Sequence, residues 1–137
     1  VFGMREIVEK ARCDLTPENC EQIIDANSPY EWFPKSLTAI NPATGRYYNG
    51  ILMIHGLFDS PYVFETLAQF FMSKNFMVRA LLLPGHGTVP GDLKNIHREK
   101  WHQATLFGIK SFKNKVDNLY IAGFSTGGLL ALIHGYS

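Results

Sequence analysis

The chain has 137 residues, of which 46% are hydrophobic and 18% are charged. That composition is ordinary for one globular domain and excludes a disordered chain. Thirteen basic and twelve acidic side chains leave a formal net charge of +1, so no concentrated positive charge is available to bind a phosphate backbone or an anionic lipid surface. We therefore expect no nucleic acid partner.

Residues 1–46 are predicted to form an N-terminal helical appendage and loop. Four apolar residues follow the spacing of an amphipathic helix, namely Met4, Ile7, Val8 and Ala11. Thr16 can cap a second short helix that has Pro17 at its first position. The spacing of Cys13 and Cys20 is not that of a zinc site, and they are either two free thiols or one disulfide.

An aromatic loop ends this appendage. Two X-Pro pairs, at 28–29 and 33–34, favour extended backbone. Tyr30 and Trp32 lie between the two pairs, and Phe33 is the first residue of the second pair. These side chains could line a substrate entrance, but packing on the body of the protein is the more common role of large aromatic residues and is the interpretation we favour.

Residues 47–137 alternate apolar strands with amphipathic helices. Short apolar runs at 51–54, 76–83 and 119–122 predict buried strands, the second interrupted by Arg79. One helix is predicted after Ser60-Pro61, with Phe64, Leu67, Ala68, Phe71 and Met72 on its apolar face. A second has Trp101, Thr105, Ile109, Phe112 and Val116 at helical spacing. The order of elements indicates an α/β fold, mostly a parallel sheet with helices on both faces.

Residues 119–136 contain no Asp, Glu, Lys or Arg, and their length approaches that of a membrane-spanning helix. Four glycines, Ser125 and Thr126 interrupt the stretch, which is typical of a buried strand, a tight turn and a buried helix. We therefore predict no integral membrane segment here.

The turn in that stretch is the main functional motif. Gly123-Phe124-Ser125-Thr126-Gly127 follows an apolar strand and precedes an apolar helix at 128–134. A sharp strand-to-helix turn of this kind forces strained dihedral angles on the serine and leaves no room for side chains two positions away. It raises the serine hydroxyl above the sheet, next to the N-H groups and positive dipole of the first helical turn.

Two further loops accompany this turn. His55-Gly56-Leu57 follows the first apolar strand, and Leu83-Pro84-Gly85-His86-Gly87 lies at the end of the second. With these three motifs, roughly residues 50–137 resemble the α/β-hydrolase superfamily, especially its carboxylesterase, monoacylglycerol lipase and lysophospholipase-like members. Residues 47–137 are accordingly expected to form the N-terminal half of an α/β-hydrolase domain.

The resemblance implies a role for each site residue. Ser125 is the nucleophile, and the backbone N-H groups of Leu57 and Thr126 form the oxyanion hole. Phe58 is the alternative to Leu57, if the loop is shifted by one residue. The side chains of Phe58 and Phe124 are expected to contact the substrate. Neither a metal nor an organic cofactor is implied.

This chemistry requires a histidine as general base, and none of the five histidines fits that role comfortably. His55 and His86 match the two loops and are expected to be structural. His97 and His102 flank the start of a surface helix, where they are expected to be solvated, and His134 lies nine residues past Ser125 on the same helix. The chain order of the family is nucleophile, acid, histidine, whereas no Asp or Glu follows Asp117.

We therefore expect the 137 residues to be the N-terminal part of a longer enzyme, inactive alone, with an open strand edge where further strands would pair. The predicted activity is hydrolysis of small or single-chain lipid esters through an acyl-enzyme. The alternatives are a thioesterase or amidase of the same fold, or a non-catalytic hydrolase-like binding protein. The expected partners are the ester substrate and the missing C-terminal part, and the sequence fixes no cellular compartment.

Overall fold

The computed structural model describes residues 27–87 and 90–135. The predicted helices around Met4 and Thr16, together with Cys13 and Cys20, lie outside this part of the chain. In chain order, the strands and α-helices described are β1 (Tyr30–Trp32), β2 (Tyr47–Ile54), α1 (Glu65–Ser73), β3 (Met77–Leu81), α2 (Arg98–Lys113), β4 (Val116–Gly123) and α3 (Thr126–His134).

The strands form one sheet in the order β1-β3-β2-β4. β2 runs parallel to both of its neighbours, with Ile54 opposite Leu81 on β3 and opposite Gly123 on β4. β1 pairs with β3 in the antiparallel direction. The central position of β2 brings the chain segments that follow β2, β3 and β4 to the same edge of the sheet, because carboxyl ends of parallel strands share an edge.

Helices cover both faces of the sheet. On one face, Ile51 and Met53 of β2 pack in a cluster with Ala68 of α1. On the other face, Leu52 packs with residues of α2, and Ile54 packs with Leu130 of α3. Successive side chains of a strand point to opposite faces, so the continuous apolar run of β2 is required by burial on both sides. The predicted α/β class is confirmed.

The strands predicted at 51–54, 76–83 and 119–122 are observed at Tyr47–Ile54, Met77–Leu81 and Val116–Gly123. Three further predictions differ in detail. The segment between the two X-Pro pairs is predicted as a loop, but Tyr30–Trp32 is strand β1. The helix predicted after Ser60 begins as a 3-10 turn, Pro61–Phe64, before α1. Val116 is predicted to extend α2, but α2 ends at Lys113 and Val116 opens β4.

Of the three aromatic residues expected to pack on the body of the protein, Tyr30 and Trp32 do so, whereas Phe33 is 48% exposed. The rings of Tyr30 and Trp32 stack with centroids 4.5 Å apart, and both pack against the core cluster on the α1 face. The Tyr30 hydroxyl donates a hydrogen bond to the carbonyl oxygen of Pro61 at 3.3 Å. Phe33 is more exposed, with its ring 5.9 Å from that of Tyr47.

β4 occupies one edge of the described sheet, and several of its side chains are exposed. A groove of about 620 Å³ with a mixed polar and apolar lining runs between β4, α2 and α3, lined in part by Ile109, Leu119 and Leu132. Tyr120 is 52% exposed on the opposite face of the strand. Across the ranges 27–87 and 90–135, no helix has both the length and the hydropathy that crossing a membrane requires.

Candidate active site

The turn from β4 to α3 has the strained geometry that its sequence predicts. β4 ends at Gly123 and α3 begins at Thr126, so two residues reverse the chain. Ser125 has φ 54° and ψ −118°, a combination that L-residues rarely adopt and that costs about 1–3 kcal/mol unless the surroundings enforce it. Ser125 and Phe124 are both exposed at the sheet edge.

The two flanking glycines are what enforce this turn. A Cβ atom on Gly123 would collide with the backbone of Gly127, which lies across the turn. A Cβ atom on Gly127 would collide with the carbonyl oxygens of Ile54 and His55. Because the obstructing atoms belong to the backbone, they cannot rotate away as a side chain could, and both positions require glycine.

The loop that follows β2 lies beside this turn. The backbone N-H of Phe124 donates a hydrogen bond to the carbonyl oxygen of Ile54 at 3.1 Å. A Cβ atom on Gly56 would lie 3.2 Å from the carbonyl oxygen of Phe124. The structure therefore brings together the loop that contains Leu57 and Phe58 and the turn that contains Ser125 and Thr126.

This loop is a tight turn with an unusual backbone. Asp59 is not among the predicted site residues, but its backbone N-H closes the turn by donating to the carbonyl oxygen of Gly56 at 3.1 Å. Phe58 has φ 64°, in the left-handed region that a bulky residue rarely occupies. No sequence pattern marks Asp59, because the bond is made by its backbone.

Exposed apolar side chains belong to both turns. Leu57 is 42% exposed, Phe58 76% and Phe124 62%, so three large apolar groups project from the two adjacent turns. Thr126 is half-buried at the first position of α3. The backbone N-H groups of that first helical turn carry the positive end of the helix dipole. A neutral ester with an apolar acyl group and a polarisable carbonyl fits both features.

His55 links the loop after β2 to the loop after β3. The backbone N-H of Leu83 donates to His55 Nε2 at 3.0 Å, so the ring proton lies on Nδ1, which donates to the carbonyl oxygen of Gly56 at 2.8 Å. His55 is fully buried, and this burial lowers its pKa to about 4. The ring is therefore neutral at pH 7 and holds the loop in place.

His86 packs at the same junction. Its ring centroid lies 4.8 Å from that of His55 and 5.8 Å from that of Trp101. The carbonyl oxygen of Pro84 is 3.3 Å from His86 Nδ1 and accepts a hydrogen bond from Trp101 Nε1 at 3.0 Å. Burial lowers the pKa of His86 below its usual value. These contacts support the structural role predicted for both His55 and His86.

The remaining histidines lie elsewhere on the structure. His97 precedes α2 and is exposed. His102, predicted to be solvated, is instead half-buried, with Nδ1 2.7 Å from Nε2 of His134. His134 is the last residue of α3, about 13 Å along the helix axis from Ser125 at 1.5 Å per residue.

Comparison with known proteins gives relatives for part of the chain. No protein-family model matches. A thermostable monoacylglycerol lipase from Bacillus sp. (strain H-257) is 28% identical over 83 residues, which are 61% of this chain and 33% of the lipase. A solved structure from work on LipS and LipT, two metagenome-derived lipolytic enzymes, has a TM-score of 0.57 and 27% identity, covering 66% of this chain and 39% of the other.

The chain thus spans between a third and two fifths of the length of these relatives. The sheet with helices on both faces and the two comparisons confirm the predicted resemblance. Over part of its length, the chain has the α/β-hydrolase-type fold of esterases and lipases.

Proposed function

We propose that this protein hydrolyses carboxylic esters through an acyl-enzyme formed on Ser125. The observation that carries the proposal is the strained Ser125 backbone, φ 54° and ψ −118°, at a turn where Gly123 and Gly127 cannot be replaced without a backbone collision. Strain of this kind persists where the surroundings enforce it, and it is concentrated at functional positions. An exposed serine held this way is suited to attack a bound carbonyl group.

In the proposed reaction, Ser125 Oγ forms a bond to the acyl carbon while its proton passes to a general base. The carbonyl oxygen becomes negatively charged, and the backbone N-H groups of Leu57 and Thr126 stabilise it. Phe58 is the alternative donor to Leu57, since the two are neighbours on the same turn. Collapse of the intermediate breaks the bond to the leaving oxygen, which takes the proton from the base and departs as the alcohol. Water then attacks the acyl carbon while the base takes its proton, and the acid leaves as the base returns that proton to Ser125 Oγ.

The proposed substrates are small or single-chain lipid esters. The exposed apolar side chains of Leu57, Phe58 and Phe124 beside the serine support an apolar acyl site. The names of the relatives, a monoacylglycerol lipase and lipolytic enzymes, point in the same direction. The acyl-enzyme route requires neither a metal nor an organic cofactor.

We further propose that the general base and its acid partner come from a segment that follows residue 137. All five histidines are in the described part of the chain, and each has another position: His55 and His86 are buried structural residues, His102 and His134 contact each other, and His97 precedes α2. The exposed edge of β4 and the groove beside it are suitable places for added strands to pack. This step would be refuted if purified protein with an intact mass of 15.5 kDa, that of the 137 residues alone, were a monomer with full activity towards esters.

A fluorophosphonate probe tests the nucleophile in the natural full-length polypeptide. We expect labelling at Ser125, shown by peptide mass spectrometry, and loss of both labelling and ester hydrolysis in Ser125→Ala. The matched control is Ser73→Ala, which removes an exposed serine hydroxyl at the end of α1. Labelling that persists in a folded Ser125→Ala protein would exclude Ser125 as the nucleophile, and absence of labelling in the wild type would favour a binding protein.

Matched ester, thioester and amide substrates separate the reaction classes. We expect the ester to give the highest kcat/KM. A higher value for the thioester or the amide would keep Ser125 as the nucleophile and would change the substrate class.

A further inference from the structure

Asp59 places a carboxylate at the turn beside Ser125. It is half-buried, and its backbone N-H closes the turn that follows β2. A Cβ atom built on Gly56 would lie 3.0 Å from Asp59 Oδ2 and 3.2 Å from the carbonyl oxygen of Phe124. The separation of these two oxygens therefore cannot exceed the sum of the two distances. The carboxylate thus lies close to the backbone of the residue that precedes the proposed nucleophile.

In the described part of the chain, no basic side chain forms an ion pair with this carboxylate. The salt bridges of residues 27–87 and 90–135 involve Glu31 and Glu99 and do not include Asp59. His55 and His86 are near enough for its charge to act on both rings: burial lowers their pKa values, and Asp59 opposes that shift. The neutral form of both rings is still favoured at pH 7, so neither histidine supplies a countercharge.

A charge in this position acts on a bound ester without touching it. In the proposed reaction, the acyl carbonyl lies between Ser125 and the backbone N-H groups of Leu57 and Thr126, on the two turns that flank Asp59. Coulomb interactions weaken only slowly with distance and are stronger at a protein surface than in bulk water. Every ester forms the same oxyanion, so the effect of Asp59 on that oxyanion is common to all of them. A charge carried by the substrate itself is what distinguishes one ester from another.

We propose that Asp59 selects ester substrates by charge, and that it disfavours esters with an anionic group near the reacting carbonyl. This inference rests on the proposed function, because it requires an ester to bind at Ser125. Among single-chain lipid esters, those with an uncharged or cationic alcohol are then preferred to those with a phosphate or carboxylate group. Unpaired like charges that approach each other are a common source of such discrimination.

Three butyrate esters of equal spacing test the proposal in the natural full-length protein. Their alcohols are choline, its uncharged tert-butyl analogue and isethionate, which carry a cationic, a neutral and an anionic group two carbons from the ester oxygen. In Asp59→Asn, which keeps the shape and removes the charge, the ratio of kcat/KM for the neutral ester to that for the anionic ester should fall by about fivefold to tenfold. The kcat/KM of the choline ester relative to the neutral ester should fall as well, because an attraction is lost.

Asp117→Asn is the matched control. It removes an exposed carboxylate at the start of β4, about 20 Å along the strand from Gly123. This distance exceeds the Debye length of about 10 Å at 0.1 M salt, so both ratios should equal those of the wild type. Asparagine can also still accept hydrogen bonds from Asn41 and Thr44, which contact Asp117.

The salt dependence of the wild type gives a second measurement, which does not require the variant to fold. Raising the ionic strength from about 0.01 M to about 1 M shortens the Debye length from about 30 Å to about 3 Å, so the ratio of neutral to anionic ester should fall. An unchanged ratio in a folded Asp59→Asn protein, or a wild-type ratio that does not respond to salt, would overturn this inference alone. If none of the three esters is hydrolysed and no fluorophosphonate labels Ser125, the proposed function fails, and this inference fails with it.

Discussion

The backbone N-H of Phe124 donates to the carbonyl oxygen of Ile54 at 3.1 Å. This hydrogen bond extends the β2–β4 ladder by one step beyond the pairing of Ile54 with Gly123. As a result, the last residue of β2 and the turn after β4 are held together at the edge of the sheet, where both strands end. A displacement of one loop should therefore disturb the other, and substitutions at this contact should affect both stability and activity.

Gly127→Ala is the substitution that should disturb this contact most. The added Cβ would collide with the carbonyl oxygens of Ile54 and His55. We expect a loss of unfolding free energy of about 3 kcal/mol or more, at the upper end for overpacked sites, and near-complete loss of ester hydrolysis. Chemical denaturation and initial-rate kinetics of the full-length protein measure the two effects.

Gly91→Ala is the matched control for that substitution. Among residues 27–87 and 90–135, no atom apart from those of the chain neighbours lies within 4 Å of a Cβ built on Gly91, so stability and kinetics should stay close to those of the wild type. A Gly127→Ala protein as stable and active as the Gly91→Ala protein would contradict the packing described at the turn.

The sequence predicts the central sheet and the turn at Ser125 well, because both depend on local rules. Continuous apolar runs mark strands buried on two faces, and glycines two positions from Ser125 mark a sharp turn. The helical spacing also extends to Val116, which packs with Phe112 in one cluster. The helical periodicity of the apolar residues therefore indicates which of them are buried together. It does not indicate that α2 ends at Lys113.

β1 could not be predicted because its cause is not local. It is three residues long and lies between two prolines, a pattern typical of a loop. Its middle residue, Glu31, lies opposite Arg79 of β3, and their side chains form a salt bridge at 2.8 Å. Arg79, the one charged residue in the apolar run at 76–83, thus has its partner 48 residues away in the sequence. No sequence spacing reveals that pairing.

Glu31→Ala should destabilise the protein far more than Lys115→Ala, although both remove one member of the same charged cluster. Arg79 is only 10% exposed, and it also donates to Ser111 Oγ at 2.6 Å. Loss of Glu31 leaves this buried charge without its carboxylate, which should cost about 3–5 kcal/mol. Lys115 is 45% exposed, so its removal should cost no more than about 1 kcal/mol. Urea unfolding of both variants at pH 7 measures the difference, and equal losses would contradict it.

The stability of the protein should fall as the pH is lowered from about 6.5, the usual pKa of histidine, towards 4, the pKa of buried His55. In this range the unfolded state binds a proton that the folded ring does not, so protonation favours unfolding. The shift of His55 corresponds to at most about 3 kcal/mol. His86 adds an effect in the same direction, since burial also lowers its pKa.

His55→Asn isolates the part of this pH dependence that comes from His55. The variant should be less stable than the wild type at pH 7.5, because the hydrogen bonds to Leu83 and Gly56 are weakened or lost. It should also lose less stability between pH 6.5 and pH 4 than the wild type does. Denaturation curves at several pH values measure this, with His97→Ala as the control. An unchanged pH slope in His55→Asn would show that His55 is not the titrating group.

Phe58→Asn separates substrate binding from folding. Phe58 has φ 64° and its side chain is 76% exposed, so asparagine, which tolerates the left-handed region better, should leave stability unchanged or slightly higher. If Phe58 contacts the acyl group, KM for an apolar ester should rise by roughly fivefold to tenfold with little change in kcat, as expected when equal binding of ground and transition states is lost.

Leu37→Asn provides the comparison for that substitution. Leu37 is 84% exposed on the turn before β2, at the opposite end of that strand from the loop that contains Phe58. Its replacement removes similar apolar surface, so KM should not change. If both variants raise KM equally, the effect is a general loss of apolar surface and Phe58 has no specific contact with the substrate. A fall in kcat for Phe58→Asn alone would instead point to a displaced turn, because the backbone N-H groups proposed to form the oxyanion hole would act only when charge develops on the carbonyl oxygen.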